Sequence, residues 1–72
     1  MNEQDVSKRF AAAITRWRCR LNMEPKEFAE FVGISKNTIY NYESGRCMPN
    51  LYTAMLIAER LGTSLDALLR GD

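Results

Sequence analysis

Histidine is absent from the 72 residues, and this absence removes the commonest general base of enzymes and a frequent zinc ligand. The two cysteines, Cys19 and Cys47, are too few for a zinc site, and without a secretion signal we expect both to remain reduced thiols. No glycine-rich phosphate loop occurs either. The sequence therefore predicts no catalysis, no metal and no cofactor.

Long hydrophobic runs are also missing, since no stretch approaches the ~18 apolar residues that span a bilayer. The chain starts with a polar, acidic segment, residues 1–5, which is unlike a signal peptide. These features predict a cytoplasmic protein without membrane contact. At 46% hydrophobic and 26% charged residues, the composition is typical of one globular domain, which we assign to residues 1–72.

Charges of the two signs nearly balance, and the net charge of +1 gives little support for nucleic-acid binding. Their distribution along the chain is uneven. Residues 7–21 carry no acidic side chain and five basic ones: Lys8, Arg9, Arg16, Arg18 and Arg20. Such a run is either a solvated helix face or a surface that attracts phosphate, and the sequence leaves both alternatives open.

Apolar residues recur at the 3.6-residue period of α-helices, and no segment alternates as a β-strand does. The first helix is predicted from Gln4 to Leu21, and Asn22 ends it in the left-handed conformation. Four further helices are predicted to start at Pro25, Lys36, Leu51 and Leu65. The residues predicted to face the core include Phe10, Trp17, Phe28, Phe31, Ile39, Tyr42, Leu51, Ala54, Met55, Ala58 and Leu61. Five short helices with short connections predict a compact all-α domain.

Residues 24–45 contain two short helices joined by a tight turn with a glycine, which is the helix-turn-helix arrangement. Ala29 is small enough for the two helices to cross closely, and Gly33 can take the left-handed angles of a sharp turn. Ile34 and Ile39 fill the space between the helices. The second helix of this unit then projects its polar side outward, where a DNA major groove of about 12 Å accepts a helix.

These residues resemble the Cro/phage-repressor-like (XRE-type) helix-turn-helix regulators, whose DNA-binding domain is the lambda-repressor-like five-helix fold. The resemblance covers residues 14–69 and rests on an ordered set of motifs. The motifs are Ile14-x-x-Trp17-Arg18, Phe28-Ala29-x-x-Val32-Gly33-Ile34-Ser35, Thr38-Ile39-x-x-Tyr42-Glu43-x-Gly45-Arg46, Pro49, and Ile57-Ala58-x-x-Leu61-Gly62-x-Ser64-Leu65-x-x-Leu68-Leu69. The resemblance implies a sequence-specific transcription regulator, a repressor that binds a palindromic operator as a homodimer, with half-sites about 34 Å apart.

The resemblance also implies individual roles in binding double-stranded DNA. The implied base-reading residues are Lys36, Asn37, Tyr40 and Asn41, and the implied phosphate contacts are Lys26, Thr38, Ser44 and Arg46. Asparagine suits adenine and lysine suits guanine, whereas tyrosine would contact a phosphate or a thymine methyl group. An arginine late in the first helix commonly pairs with the glutamate before the glycine turn, so we expect an ion pair between Arg18 and Glu43 that docks the recognition helix.

Two departures from the family pattern weaken the DNA-binding prediction. Glu24 and Pro25 stand where the family has a small polar cap and a DNA-contacting glutamine, and Glu24 would repel a phosphate. Residues 22–46 carry three cations and four acids, so the reading unit is net negative and we expect modest affinity per subunit. Dimerisation and the cations of the first helix would compensate. The predicted dimer face consists of Tyr52, Leu56, Leu65, Leu68 and Leu69.

A second hypothesis assigns the fold to protein interaction. The same architecture serves different functions, so an antitoxin or another module that binds a partner protein is the alternative to a DNA reader. Since the chain ends soon after the last predicted helix, we expect no separate effector domain, and control by concentration or by a partner rather than by a small molecule.

Overall fold

The computed structural model describes residues 2–71, which form five α-helices. Helix α1 spans Glu3–Arg20, α2 Pro25–Val32, α3 Lys36–Glu43, α4 Leu51–Arg60 and α5 Leu65–Arg70. The all-α prediction is confirmed, since residues 2–71 contain no strand, and every predicted helix start agrees to within one residue. None of these helices combines the length and the apolar character that a membrane crossing requires.

Local capping explains where the helices begin. Four side chains each accept a hydrogen bond from the backbone N–H three residues further on, at 2.8–3.2 Å: Asn2, Ser35, Asn50 and Ser64. Helix α2 opens with Pro25 instead, and the Glu27 carboxylate accepts the backbone N–H of Glu24 at 2.9 Å. These bonds satisfy donors that the start of a helix leaves unpaired.

The turns after α1 and α2 use left-handed backbone, as the sequence predicted. Asn22 has a φ of 58° and Gly33 a φ of 85°. The N–H groups of Gly33 and Ile34 both donate to the carbonyl oxygen of Ala29, at 2.8 and 2.9 Å. These two hydrogen bonds to one carbonyl oxygen reverse the chain within two residues. The next residue, Ser35, caps α3.

One hydrophobic cluster unites the helices. Its fully buried large side chains are Ile14, Phe28, Val32, Ile39, Ile57 and Leu68. Helix α1 packs against α3 and α5, α2 packs against α3 and α4, and α4 packs against α5. Helix α3 is therefore held from two sides by α1 and α2, and its remaining surface is free to contact another molecule.

Three residues that were predicted to face the core lie at the surface, and that prediction was wrong. Phe31 is 41% exposed, Leu51 69% and Met55 57%. Successive helical residues point about 100° apart, so Phe31 and Met55 turn away from the buried rows of α2 and α4. Leu51 stands in the first turn of α4, at the rim of a groove lined also by α1 and α5 residues. The fully buried Ile57, absent from the predicted α4 set, lies on the inner side.

Candidate nucleic-acid interface

Helix α3 has one buried side and one polar side. Ile39 is fully buried and Tyr42 is 6% exposed, so both pack inward. The side chains that point away from the core are those predicted to read bases: Lys36, Asn37, Tyr40 and Asn41. Lys36 and Asn37 are exposed, Tyr40 is 49% exposed, and Asn41 is half-buried. The arrangement offers donors, acceptors and one aromatic ring on one side of α3.

The expected ion pair between Arg18 and Glu43 is present at the end of α3. Arg18 Nε lies 2.8 Å from Glu43 Oε2, and Arg18 Nη1 donates to the carbonyl oxygen of Met23 at 3.1 Å. The two charged side chains are 20% and 15% exposed, so the pair is partly shielded from water. The hydrogen bond with Glu43 raises the pKa of Arg18, although partial burial acts in the opposite direction.

Two further contacts between α1 and the α3 region were not predicted from the sequence. The ring centroids of Phe10 and Tyr42 are 5.5 Å apart, with their planes at 79°. The Ser7 hydroxyl donates to the carbonyl oxygen of Gly45 at 3.0 Å, just beyond the end of α3. Burial raises the pKa of Tyr42, and the charge of Cys47 acts in the same direction. Together with the ion pair, these contacts fix how α3 sits on α1.

The predicted phosphate contacts differ in how free their donors are. Lys26 in α2 and Arg46 after α3 are exposed cations. The Thr38 hydroxyl lies 2.7 Å from that of Ser35, and it can donate outward when Ser35 supplies the proton of that bond. The Ser44 hydroxyl donates to the carbonyl oxygen of Asn41 at 3.0 Å, so a phosphate, which only accepts, would have to replace that bond.

Carboxylates surround the same surface. The Glu27 carboxylate sits at the start of α2, where it accepts the Glu24 N–H. Glu24 and Glu30 are exposed on the same segment, and Glu3 lines a shallow groove that Arg46 also lines. The start of α2, a place where a helix terminus would attract phosphate, is thus occupied by the protein's own negative charge.

A separate apolar surface lies on α4 and α5. Tyr52 is 74% exposed, whereas Leu56, Leu65 and Leu69 are half-buried. Leu68 is fully buried in the core, so its assignment to the predicted dimer face was wrong, because the inner side of α5 rather than its outer side carries it. Two open grooves of about 600 Å³ and 270 Å³ flank α4, and both are lined by Leu65.

No metal centre is formed by the described part of the chain. Cys19 and Cys47 are exposed, free thiols. Within residues 2–71, no three cysteine, aspartate or glutamate side chains are grouped as ligands of one ion would be.

Comparison with known proteins identifies the family. The model of the helix-turn-helix family HTH_3 matches residues 14–68. None of the curated proteins that were compared matches the chain. Among solved structures, an HTH_3 family transcriptional regulator from Vibrio cholerae superimposes with a TM-score of 0.87 at 22% identity; the match covers 99% of this chain and 40% of that protein. The chain belongs to the HTH_3 helix-turn-helix family, a non-enzymatic class that binds double-stranded DNA.

Proposed function

We propose that this protein is a sequence-specific transcription regulator, a repressor, which reads operator DNA with the outer face of α3. The observation that carries the proposal is the division of α3 into a buried side and a polar side. Ile39 and Tyr42 anchor the inner side, and the ion pair with Arg18 holds the end of the helix. A helix held in this way can enter a major groove as a rigid element.

The chemistry of the outer face suits direct reading of bases. Asn37 and Asn41 carry both a donor and an acceptor, which can pair with N6 and N7 of adenine. Lys36 can donate to O6 and N7 of guanine, and Tyr40 can contact a thymine methyl group or a phosphate. Lys26 and Arg46 supply the cations for the DNA backbone, with Thr38 and Ser44 as weaker donors. Phosphate contacts of this kind position the helix without selecting sequence.

We further propose that the protein binds a two-fold symmetric operator as a homodimer. One α3 of eight residues reads few base pairs, and the carboxylates around it reduce the attraction of a single copy for DNA. Two copies would double the contacts, with half-sites about 34 Å apart. Acting on DNA, such a regulator works in the cytoplasm.

The dimer face that we propose lies on the outer side of α4 and the adjoining part of α5. It comprises Leu51, Tyr52, Met55, Leu56, Leu65 and Leu69. Leu51 and Tyr52 protrude, whereas Leu65 lines the two grooves beside them. In a two-fold symmetric interface, the same surface of both copies forms the contact. That surface therefore needs both protruding side chains and grooves that accommodate them. Among residues 2–71, Glu59 is the only charged residue that lines either groove.

The first experiment is selection of bound sequences from a random duplex library at two salt concentrations. A palindromic site that is enriched at both concentrations supports a dimeric operator reader. Binding without enrichment that is lost steeply with salt would mean attraction to phosphates alone, and would contradict sequence-specific regulation.

The dimer face is tested with Tyr52→Glu, which places a charge on the most exposed aromatic side chain. We expect wild type to show concentration-dependent dimers in analytical ultracentrifugation and Tyr52→Glu to stay monomeric. Phe31→Glu is the matched control, because Phe31 is an exposed aromatic residue outside the face. Equal dimerisation of wild type and Tyr52→Glu would show that another surface joins the two copies.

The second candidate function is that of a protein-binding module such as an antitoxin. The net negative reading unit and the uncovered apolar surface of α4 favour it over an isolated DNA reader. This function predicts tight binding to one partner protein together with weak, non-specific DNA binding. The library selection described above separates the two, because a partner-binding module enriches no sequence.

A further inference from the structure

Lys36 and Tyr40 are in contact on the outer face of α3. The Lys36 ammonium lies 5.9 Å from the centroid of the Tyr40 ring, within the range of a cation–π interaction. The two residues are four positions apart, so they are neighbours on consecutive turns. Both are exposed to solvent, and the ring is accessible on the surface that faces away from the core.

This contact determines where the charge of Lys36 is held. Side chains in a helix lean toward its N-terminus, and Lys36 is the first residue of α3. An unattached ammonium would therefore extend past the start of the helix. Tyr40 leans the same way from one turn further along, and its ring instead holds the ammonium over the outer face of α3.

The position of the Lys36 ammonium matters for DNA reading. The Lys36 ammonium is carried on a flexible four-carbon chain, and successive base pairs are stacked about 3.4 Å apart. A shift of the ammonium by about this step therefore changes the base pair that it meets. Which base pair Lys36 reaches depends on whether Tyr40 holds it.

We propose that Tyr40 is a positioning residue, which determines the base pair that Lys36 reads. The proposal rests on the operator-reading function proposed above. The aromatic ring carries this role, and the hydroxyl group is dispensable for it. A direct role of Tyr40 in binding phosphate would instead require the hydroxyl, so the two roles are separable by substitution.

The free protein gives the first test. Tyr40→Phe keeps the ring, whereas Tyr40→Leu removes it and leaves an apolar side chain at the same exposed position. In proton NMR spectra, the ring shifts the ε-methylene signal of Lys36 upfield in wild type and in Tyr40→Phe, and the shift is lost in Tyr40→Leu. The signal is assigned by its disappearance in Lys36→Met. An unshifted signal in wild type would overturn the proposal.

Selection from the duplex library gives the second test, with the same four proteins. Lys36→Met identifies the base pair that Lys36 reads, because the preference at that position disappears in this variant. At the same position, we expect the preference of Tyr40→Leu to be about two- to fivefold weaker than that of wild type. Tyr40→Phe should retain the preference of wild type. The proposal is overturned if Tyr40→Leu keeps every preference, or if it weakens binding to all sequences equally. If wild type itself enriches no sequence, the operator-reading function fails as well, whereas unchanged preferences in Tyr40→Leu overturn the role of Tyr40 alone.

Discussion

The Arg18 guanidinium donates a hydrogen bond to each carboxylate oxygen of Glu43, from Nε to Oε2 at 2.8 Å and from Nη2 to Oε1 at 3.1 Å. The two residues are 25 positions apart in the chain, so the pair joins α1 directly to the last residue of α3. A third donor of the same guanidinium binds the Met23 carbonyl oxygen at 3.1 Å, and the turn between α1 and α2 is thereby tied to the same point. A bidentate contact of this kind fixes the relative orientation of the two side chains as well as the distance between them.

Replacing Arg18 by Met tests how much this pair stabilises the fold. The variant keeps most of the side-chain length but leaves a carboxylate that is only 15% exposed without its partner. We expect the free energy of unfolding to fall by ~1–3 kcal/mol, between the values for exposed and for fully buried pairs. Urea denaturation followed by circular dichroism measures the change.

Arg9→Met is the matched control, because Arg9 is an exposed arginine on the same helix. Its effect should stay within about 0.5 kcal/mol. The double variant Arg18→Met, Glu43→Gln should be less destabilised than Arg18→Met alone, since no unpaired charge remains. If Arg18→Met is as stable as Arg9→Met, the pair behaves as an ordinary surface contact and does not secure α3.

Stability at alkaline pH is predicted to depend on Tyr42. Burial raises the pKa of this phenol above its ordinary value of 10.0, because the charged phenolate loses solvation in the core. The folded state thus holds the proton more tightly than the unfolded state. The stabilisation is complete below pH 10 and is lost as the pH rises through the folded-state pKa.

The measurement is the urea midpoint of wild type and Tyr42→Phe over about pH 8 to 11. The phenylalanine variant keeps the ring against Phe10 but has no proton to lose. Wild type should lose stability above pH 10 more steeply than Tyr42→Phe. Parallel curves for the two proteins would mean that titration of Tyr42 is not coupled to folding.

Local signals explain why the helices were predictable from the sequence. Ser35 caps α3 through one bond to a backbone N–H three residues away, and Gly33 takes a backbone angle that few other residues adopt. Such features depend on neighbouring residues alone. The ion pair of Arg18 with Glu43 was expected from the family resemblance, since no local rule links residues 25 positions apart.

The contacts that went unpredicted depend on how the helices pack. The hydrogen bond from Ser7 to Gly45 joins residues 38 positions apart. The sequence around a helical serine does not indicate such a distant partner. Phe31 and Leu68 are both apolar and lie on amphipathic helices, yet the first is exposed and the second fully buried. Residue type indicates that a side chain can be buried, whereas the neighbouring helix decides whether it is.

The last prediction separates base reading from phosphate binding with two variants of the reading unit. Asn41→Ala removes a side chain that can pair with adenine, and we expect binding to the selected operator to weaken by ~1–3 kcal/mol while selection at one base pair relaxes. Lys26→Ala removes an exposed cation at the start of α2. It should weaken binding to all sequences alike. The slope of the logarithm of the binding constant against the logarithm of the salt concentration should fall by about one, as expected for the loss of one phosphate contact.

Fluorescence anisotropy on the selected site, on a site altered at one base pair and on unrelated DNA, each at several salt concentrations, distinguishes the two effects. The backbone carbonyl of Asn41 keeps its bond from Ser44 in the alanine variant, so the end of α3 is not disturbed. If Asn41→Ala weakens binding equally on all three duplexes, Asn41 positions the helix rather than reads a base. If Lys26→Ala changes which sequence is preferred, α2 contributes to specificity, and the reading surface extends beyond α3.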